Sequence, residues 1–102
     1  MSDVTLLGLV ELRLEYALKG SSNYISWKDK MEAVLEDGGL KEFIDKDIHK
    51  PPTTDVQDFS EWKKSVVETR RIILEGVQNH VVLNLHGKET PYAMWKALID
   101  LF

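Results

Sequence analysis

Residues 20–39 read GSSNYISWKDKMEAVLEDGG and contain one complete helix signal. Asn23 is a typical N-cap residue for the start of a helix, and Gly38 and Gly39 favour the left-handed geometry that ends one. Between these signals, apolar side chains fall within about 100° of a helical wheel. These side chains are Tyr24, Trp27, Met31, Val34 and Leu35. The stretch therefore predicts a helix with one buried face.

A second long helix is predicted further along the chain. It should begin near Asp58, because Glu61 three residues later completes a capping-box pattern. Its buried face has helical spacing and comprises Trp62, Val66, Thr69 and Ile73, with Val67 and Leu74 widening it. We expect Gly76 to break this helix, and a shorter helix lined by apolar residues to run from Val77 to Gly87.

Two shorter segments complete the pattern. Residues 40–44 predict a short helical turn, and residues 45–58 predict a polar loop around two prolines. Near the end of the chain, Thr90 is a favoured N-cap residue and Pro91 suits the first helical position. The helix that follows should bury one side, comprising Tyr92, Trp95, Leu98, Ile99 and Phe102.

Together these patterns predict an all-α fold, a small bundle of four or five helices. The aromatic side chains are spaced so that we expect their rings to meet in one shared interior. These rings belong to Tyr24, Trp27, Trp62, Tyr92 and Trp95.

The first residues of the chain follow a different pattern. From Val10 to Lys19, apolar residues alternate with others, which is a strand signal. A second strong strand candidate is missing from the sequence, so the segment is an extended arm packed on the helices, a strand paired with another molecule, or a helix. We favour an extended or mixed arm over residues 1–19, followed by a helical domain over residues 20–102.

Composition narrows the classes of function. The chain of 102 residues has a formal net charge of -4, whereas domains that grip nucleic acid are usually basic. It contains no cysteine, so disulfides, thiolate catalysis and zinc knuckles are excluded. No apolar run approaches the roughly 18 residues of a membrane span. We expect a cytoplasmic protein with no membrane association.

The polar side chains form no recognisable catalytic pattern. His80 and His86 are six positions apart, which does not place them on adjacent turns of one helix face, and His49 lies in the proline loop. The sequence lacks a nucleophile elbow and a phosphate-binding loop. We therefore predict no enzyme activity, no cofactor and no metal site. The one basic concentration comprises Lys63, Lys64, Arg70 and Arg71; a solvated helix face is favoured over RNA contact, for which these four residues are weak candidates.

The last helix is unusually apolar. Around most of its circumference only Lys96 and Asp100 are polar, so it needs cover on more than one side. Either it is the central helix of the bundle, or further chain or another molecule covers it. If another molecule covers the helix, the candidate interface residues are Met94, Ala97, Leu101 and Phe102.

The order of these anchors resembles a known family. The entry pattern Gly-x-x-Asn-Tyr-x-x-Trp at residues 20–27 and the exit pattern Thr-x-x-x-x-Trp-x-x-Leu at residues 90–98 are similar to those of the Gag polyprotein of copia-type long-terminal-repeat retrotransposons, especially plant elements. The anchors are Tyr24, Trp27, Met31, Leu35, Trp62, Ile73, Trp95 and Leu98. Val66 and Thr69 depart from the family pattern, which often has Asp and Ala there.

This resemblance implies a capsid-like domain, similar to the N-terminal lobe of a capsid protein and part of a longer protein. Proteins of this family are non-enzymatic and self-associate into virus-like particles that package the element's RNA. The RNA is usually bound by a downstream basic region with a zinc knuckle, so this chain would meet RNA only indirectly. The alternative is a domesticated, Gag-derived adaptor that binds a peptide or helix of a host protein.

Overall fold

The computed structural model describes residues 17–102, which form a small all-α bundle. Five α-helices follow one another along this part of the chain: α1 Tyr24–Asp37, α2 Glu42–Asp45, α3 Val56–Glu75, α4 Asn79–Val82 and α5 Pro91–Leu101. Two short 3-10 turns accompany them, Ser21–Asn23 and Leu83–Leu85. The predicted fold class, with its four or five helices, is confirmed. Residues 1–16, most of the predicted arm, lie outside the described residues.

The predicted stop of α1 is confirmed, but its start is made differently. Gly39 has a φ of 72°, the left-handed geometry that glycine adopts without steric cost. Asn23 occupies the N-cap position, yet its side chain does not cap the helix. It accepts a hydrogen bond from the Lys19 amide at 3.0 Å and donates one to the Ala17 carbonyl at 3.0 Å. Asn23 therefore holds the end of the arm against the beginning of α1.

The predicted start of α3 is wrong by about one turn. Asp55, not Asp58, is the N-cap residue, and its carboxylate accepts a hydrogen bond from the Asp58 amide at 3.2 Å. The capping-box pattern is ambiguous here, because an acceptor three residues earlier serves equally well. A hydrogen bond to the Asp55 carboxyl group, together with its charge, raises the pKa of the Asp58 carboxyl group above its ordinary value.

The segment after α3 also differs from the prediction. The helix ends at Gly76 as expected, but Val77 is extended and forms a parallel bridge with Leu18. The Leu18 amide donates to the Gly76 carbonyl at 3.0 Å, and the Gln78 amide donates to the Leu18 carbonyl at 3.0 Å. The predicted single helix from Val77 is therefore a bridge, then α4, then a 3-10 turn. At the end of the arm, Leu18 is therefore bridged to Val77 and its side chain lies in the core.

Helix α5 has the predicted cap and lies at the centre of the packing. The Thr90 hydroxyl accepts a hydrogen bond from the Ala93 amide at 3.1 Å, and Pro91 occupies the first helical position. The helix packs against α2, α3 and the Leu83–Leu85 turn. The core around it is formed by residues from every helix and from the bridge, among them Leu18, Trp27, Met31, Leu35, Phe43, Ile44, Ile72, Ile73, Val81, Met94, Trp95 and Leu98.

Thr69 shows how the core accepts a polar residue. Its side chain is fully buried on the predicted face of α3, and its hydroxyl donates to the Ser65 carbonyl at 2.7 Å. The hydrogen bond within the helix removes the cost of an unsatisfied buried hydroxyl.

Candidate functional site

A stack of aromatic rings joins the two ends of the described chain. The ring centroids of Trp27 and Trp95 lie 5.5 Å apart, and Tyr24 packs against both Trp27 and Phe102. Burial raises the pKa of the Tyr24 hydroxyl, an effect that the positive charge of Lys28 opposes. Because the two indole rings are in contact and buried, no groove separates the faces of α1 and α5 at this point.

The Trp27 indole is also a hydrogen-bond donor to a distant turn. Its Nε1–H donates to the Gly76 carbonyl at 2.6 Å, and the same carbonyl accepts the Leu18 amide. One carbonyl oxygen therefore joins α1, the end of α3 and the arm. A Cβ at Gly76 would overlap the terminal methyl group of Met31, so a glycine at this position allows close packing.

The predicted anchors divide into a buried set and a peripheral set. The buried anchors are Trp27, Met31, Leu35, Ile73, Trp95 and Leu98. Tyr24 and Trp62 are half-buried and pack against the core. Of the five aromatic rings expected to meet, those of Tyr24, Trp27 and Trp95 are in contact. The Trp62 ring packs against the core but pairs with Phe59 at 5.9 Å, and its Nε1–H donates to the Ile48 carbonyl at 3.1 Å. Trp62 thus holds the proline loop against α3. The fifth of these aromatic residues, Tyr92, is half-buried on α5.

The candidate interface residues do not share one surface. Met94 is 1% exposed and belongs to the core, so its assignment to an interface is wrong. Ala97 is half-buried against the core, and Phe102 is half-buried against Tyr24. Leu101 is 46% exposed.

Sequence reasoning missed a second exposed apolar residue on α5. Ile99 was expected on the buried side, but it is 40% exposed, because the core covers only the side that contains Leu98. The last turn of α5 therefore presents apolar side chains on both sides of a buried leucine. The excess of apolar residues on this helix was the signal, but the sequence did not distinguish which of them the neighbouring helices cover.

The four basic residues of α3 lie on two different sides. Lys63, Lys64 and Arg71 line the outer face of the helix together with the exposed Val67, and Arg71 pairs with Glu75 at 3.5 Å. Arg70 lies on another side of α3, where it lines a separate cavity. His86 and Lys88 are among the other residues that line this cavity. The structure thus brings three of the predicted RNA-contact residues together and separates the fourth.

Titratable side chains elsewhere make structural contacts. The His80 Nε2 atom lies 2.6 Å from the Lys19 carbonyl oxygen, which joins α4 to the arm beside the bridge of Leu18 with Val77. Within residues 17–102, no group of histidine and carboxylate side chains is arranged to hold a metal ion. In the same part of the chain, none of the helices combines the length and apolar character needed to cross a membrane.

Comparison with known proteins adds no family assignment. The chain matches no protein-family model, no curated protein and no solved structure.

Proposed function

We propose that this chain is a structural, non-enzymatic module that self-associates, similar to the capsid-like part of a copia-type retrotransposon Gag. In this role it would contribute to a virus-like particle in the cytoplasm. Contact with the packaged RNA would be made by a separate downstream region, in keeping with the net charge of -4 on this chain.

The last turn of α5 is the observation on which the proposal depends. Ile99 is 40% exposed and Leu101 is 46% exposed, while Leu98 between them is 1% exposed. Apolar side chains in this arrangement gain free energy when a second molecule removes them from water, at about 25 cal/mol per Å² of apolar area. The small area gives weak pairwise contacts, and a particle multiplies such contacts by repetition.

The anchor pattern supports the family part of the proposal. Trp27 and Trp95 come from the entry and exit patterns that the resemblance rests on, and they stack at 5.5 Å in the core. The resemblance therefore involves residues that hold the fold together rather than residues scattered on the surface.

The alternative function is a domesticated adaptor that binds a peptide or helix of a host protein. A peptide groove between the Trp27 and Trp95 faces is not available, since these rings are in contact. A binding site for such a partner would have to lie elsewhere on the bundle.

Light scattering over increasing protein concentration tests the proposal. We expect the mean molar mass of the wild-type chain to rise above 11.7 kDa, and the double variant Ile99→Lys with Leu101→Lys to remain near 11.7 kDa. Val67→Lys is a matched control, because Val67 is 53% exposed and lies on the outer face of α3 with Lys63 and Lys64. Circular dichroism of each variant verifies that the helices are retained.

A wild-type chain that remains monomeric at every concentration would contradict self-association. Dissociation by Val67→Lys, with no effect of the double variant, would contradict the assignment of the contact to α5.

A further inference from the structure

A cavity of about 230 Å³ lies between the second half of α3 and the segment that precedes α5. Its apolar lining includes Leu74, the buried Leu85 and the buried Met94. The turn that closes it is held by a hydrogen bond from the Lys88 amide to the Leu85 carbonyl at 3.1 Å. Gly87 within this turn has a φ of 85°, which favours glycine and gives the turn its sharp bend.

The polar residues of this cavity include cations and no carboxylate. The cations are Arg70 and Lys88, His86 also lines the cavity, and no Asp or Glu is among its lining residues in the described part of the chain. This is unusual for a chain with a net charge of -4. The ion pairs of residues 17–102 involve other basic residues, so the charges of Arg70 and Lys88 have no carboxylate partner within this range.

Arg70 provides a second, independent observation. Its Nε is buried and has no hydrogen-bond partner among the described residues. A buried guanidinium nitrogen without an acceptor costs free energy, and a nearby anion lowers the cost of keeping the positive charge away from water. The cavity therefore combines an apolar floor with an unpaired, half-buried positive charge.

The size of the cavity indicates what it accepts. Sites for whole small molecules usually measure about 300–1,000 Å³, so this cavity is on the scale of a side chain or two. Leu83 also lines this cavity, and because it is 76% exposed it extends the apolar surface outward. The two features lie close enough together for one short peptide to contact both, with one residue in the cavity and its neighbour on the leucine.

We propose that this cavity binds an acidic peptide segment of another protein, in which a carboxylate side chain lies next to an aliphatic one. The aliphatic side chain would occupy the floor formed by Leu74, Leu85 and Met94. The carboxylate would pair with the guanidinium of Arg70 and the ammonium of Lys88, with Arg70 contributing more because it is less exposed. This site is separate from the exposed turn of α5 invoked for self-association, so the two proposals succeed or fail independently.

The test is an NMR titration of the ¹⁵N-labelled chain with the blocked tripeptide acetyl-Leu-Glu-Leu-amide. We expect saturable shifts of the amide signals of Leu85, Gly87 and Lys88, with a Kd of about 1 mM, as suits one apolar side chain and one ion pair. The uncharged peptide acetyl-Leu-Gln-Leu-amide should bind about tenfold more weakly, because it lacks the carboxylate. Added salt should weaken the charged peptide only.

Variants of the chain locate the site. Arg70→Met retains the apolar stem of the side chain and should weaken binding about tenfold, while Lys88→Gln at an exposed position should weaken it about two- to fivefold. Lys64→Gln on the outer face of α3 is the matched control and should leave binding unchanged. Lys88→Gln also keeps the test valid if Arg70→Met disturbs the fold.

Four results would overturn the proposal. These are the absence of saturable shifts up to about 10 mM peptide, well above the expected Kd; equal binding of the two peptides; loss of binding in Lys64→Gln but not in Lys88→Gln; and binding of sodium hexanoate without binding of the peptide, which would indicate a site for a small free acid. Shifts at these amides that grow with protein concentration alone would show that a second copy of the chain is the occupant instead.

Discussion

Replacing Trp27 tests the packing that holds the described helices together. The side chain is 1% exposed, stacks on Trp95 at 5.5 Å and donates a hydrogen bond to the Gly76 carbonyl at 2.6 Å. Truncation to alanine removes all three contributions, and buried large-to-small changes of this kind cost about 3–5 kcal/mol. Since small domains have a total stability of about 5–15 kcal/mol, Trp27→Ala should remove much of the stability of the fold.

The conservative change Trp27→Phe separates the hydrogen bond from the ring. Phenylalanine retains an aromatic face for Trp95 but loses the N–H and part of the ring volume. The Gly76 carbonyl still accepts the Leu18 amide at 3.0 Å, so it is not left without a donor. Loss of the hydrogen bond alone should therefore cost about 1 kcal/mol. Together with the lost ring volume, Trp27→Phe should lower the free energy of unfolding by about 1–3 kcal/mol.

Urea unfolding followed by circular dichroism at equilibrium measures these free energies directly. Trp62→Phe is the matched control, because Trp62 also donates to a backbone carbonyl, that of Ile48 at 3.1 Å, but is only half-buried. Loss of this hydrogen bond in Trp62→Phe should lower the free energy of unfolding by about 1 kcal/mol. A cost of less than about 1 kcal/mol for Trp27→Ala, the scale of a single hydrogen bond, would contradict the central role of this side chain in the core. A larger cost for Trp62→Phe than for Trp27→Phe would contradict it as well.

Three further changes have defined outcomes. Thr90→Ala removes the cap of α5 and should lower the free energy of unfolding by about 1 kcal/mol, whereas Thr90→Ser should restore most of it; no loss in a urea titration would contradict the cap. Gly76→Ala places a methyl group against the end of Met31 and should lower the free energy of unfolding by about 1–3 kcal/mol through overpacking. A stabilising effect in thermal melts would show that Met31 moves aside without cost. The neighbouring Asp55 carboxyl group raises the pKa of Asp58 in the folded state, so this pair contributes stability at low pH that is lost as pH rises through the folded pKa. Asp58→Asn should therefore reduce the decline in stability over that range, and an unchanged pH profile would disprove the interaction.

Signals confined to a few neighbouring residues were sufficient to predict much of the fold. The cap at Thr90 and the stop at Gly39 depend on local backbone geometry, and both are where the sequence placed them. The start of α3 was misplaced because Asp55 and Asp58 are equally good caps by residue type. Only the surrounding turn distinguishes them, since the Asp55 amide donates to the Pro52 carbonyl at 3.1 Å.

The errors at longer range have one physical cause. Val77 looked helical because its spacing from Val81 suits a helix, but its backbone is engaged by Leu18, far away in the sequence. The Trp27 indole reaches the Gly76 carbonyl, 49 residues distant, in the same way. The alternation that includes Leu18 indicated an extended segment, but periodicity does not show which distant residues a segment contacts, so it could not identify Val77 as the partner.

In the candidate sites, too, the features that depend on contacts between distant segments could not be predicted from the sequence. Arg70 and Arg71 are neighbours in the sequence, but consecutive helix positions differ by about 100°, so they face different surroundings. Placing Arg70 beside Lys88 required the turn at Gly87, which brings the end of one segment onto the side of α3. Exposure of Ile99 and Leu101 likewise depended on which side of α5 the neighbouring helices cover.

Sedimentation equilibrium of the wild-type chain, from micromolar to millimolar concentration, tests the central claim most directly. If the chain is a self-associating building block, the mean molar mass rises steadily above 11.7 kDa as concentration increases. A single ideal species of 11.7 kDa across the whole range would contradict it.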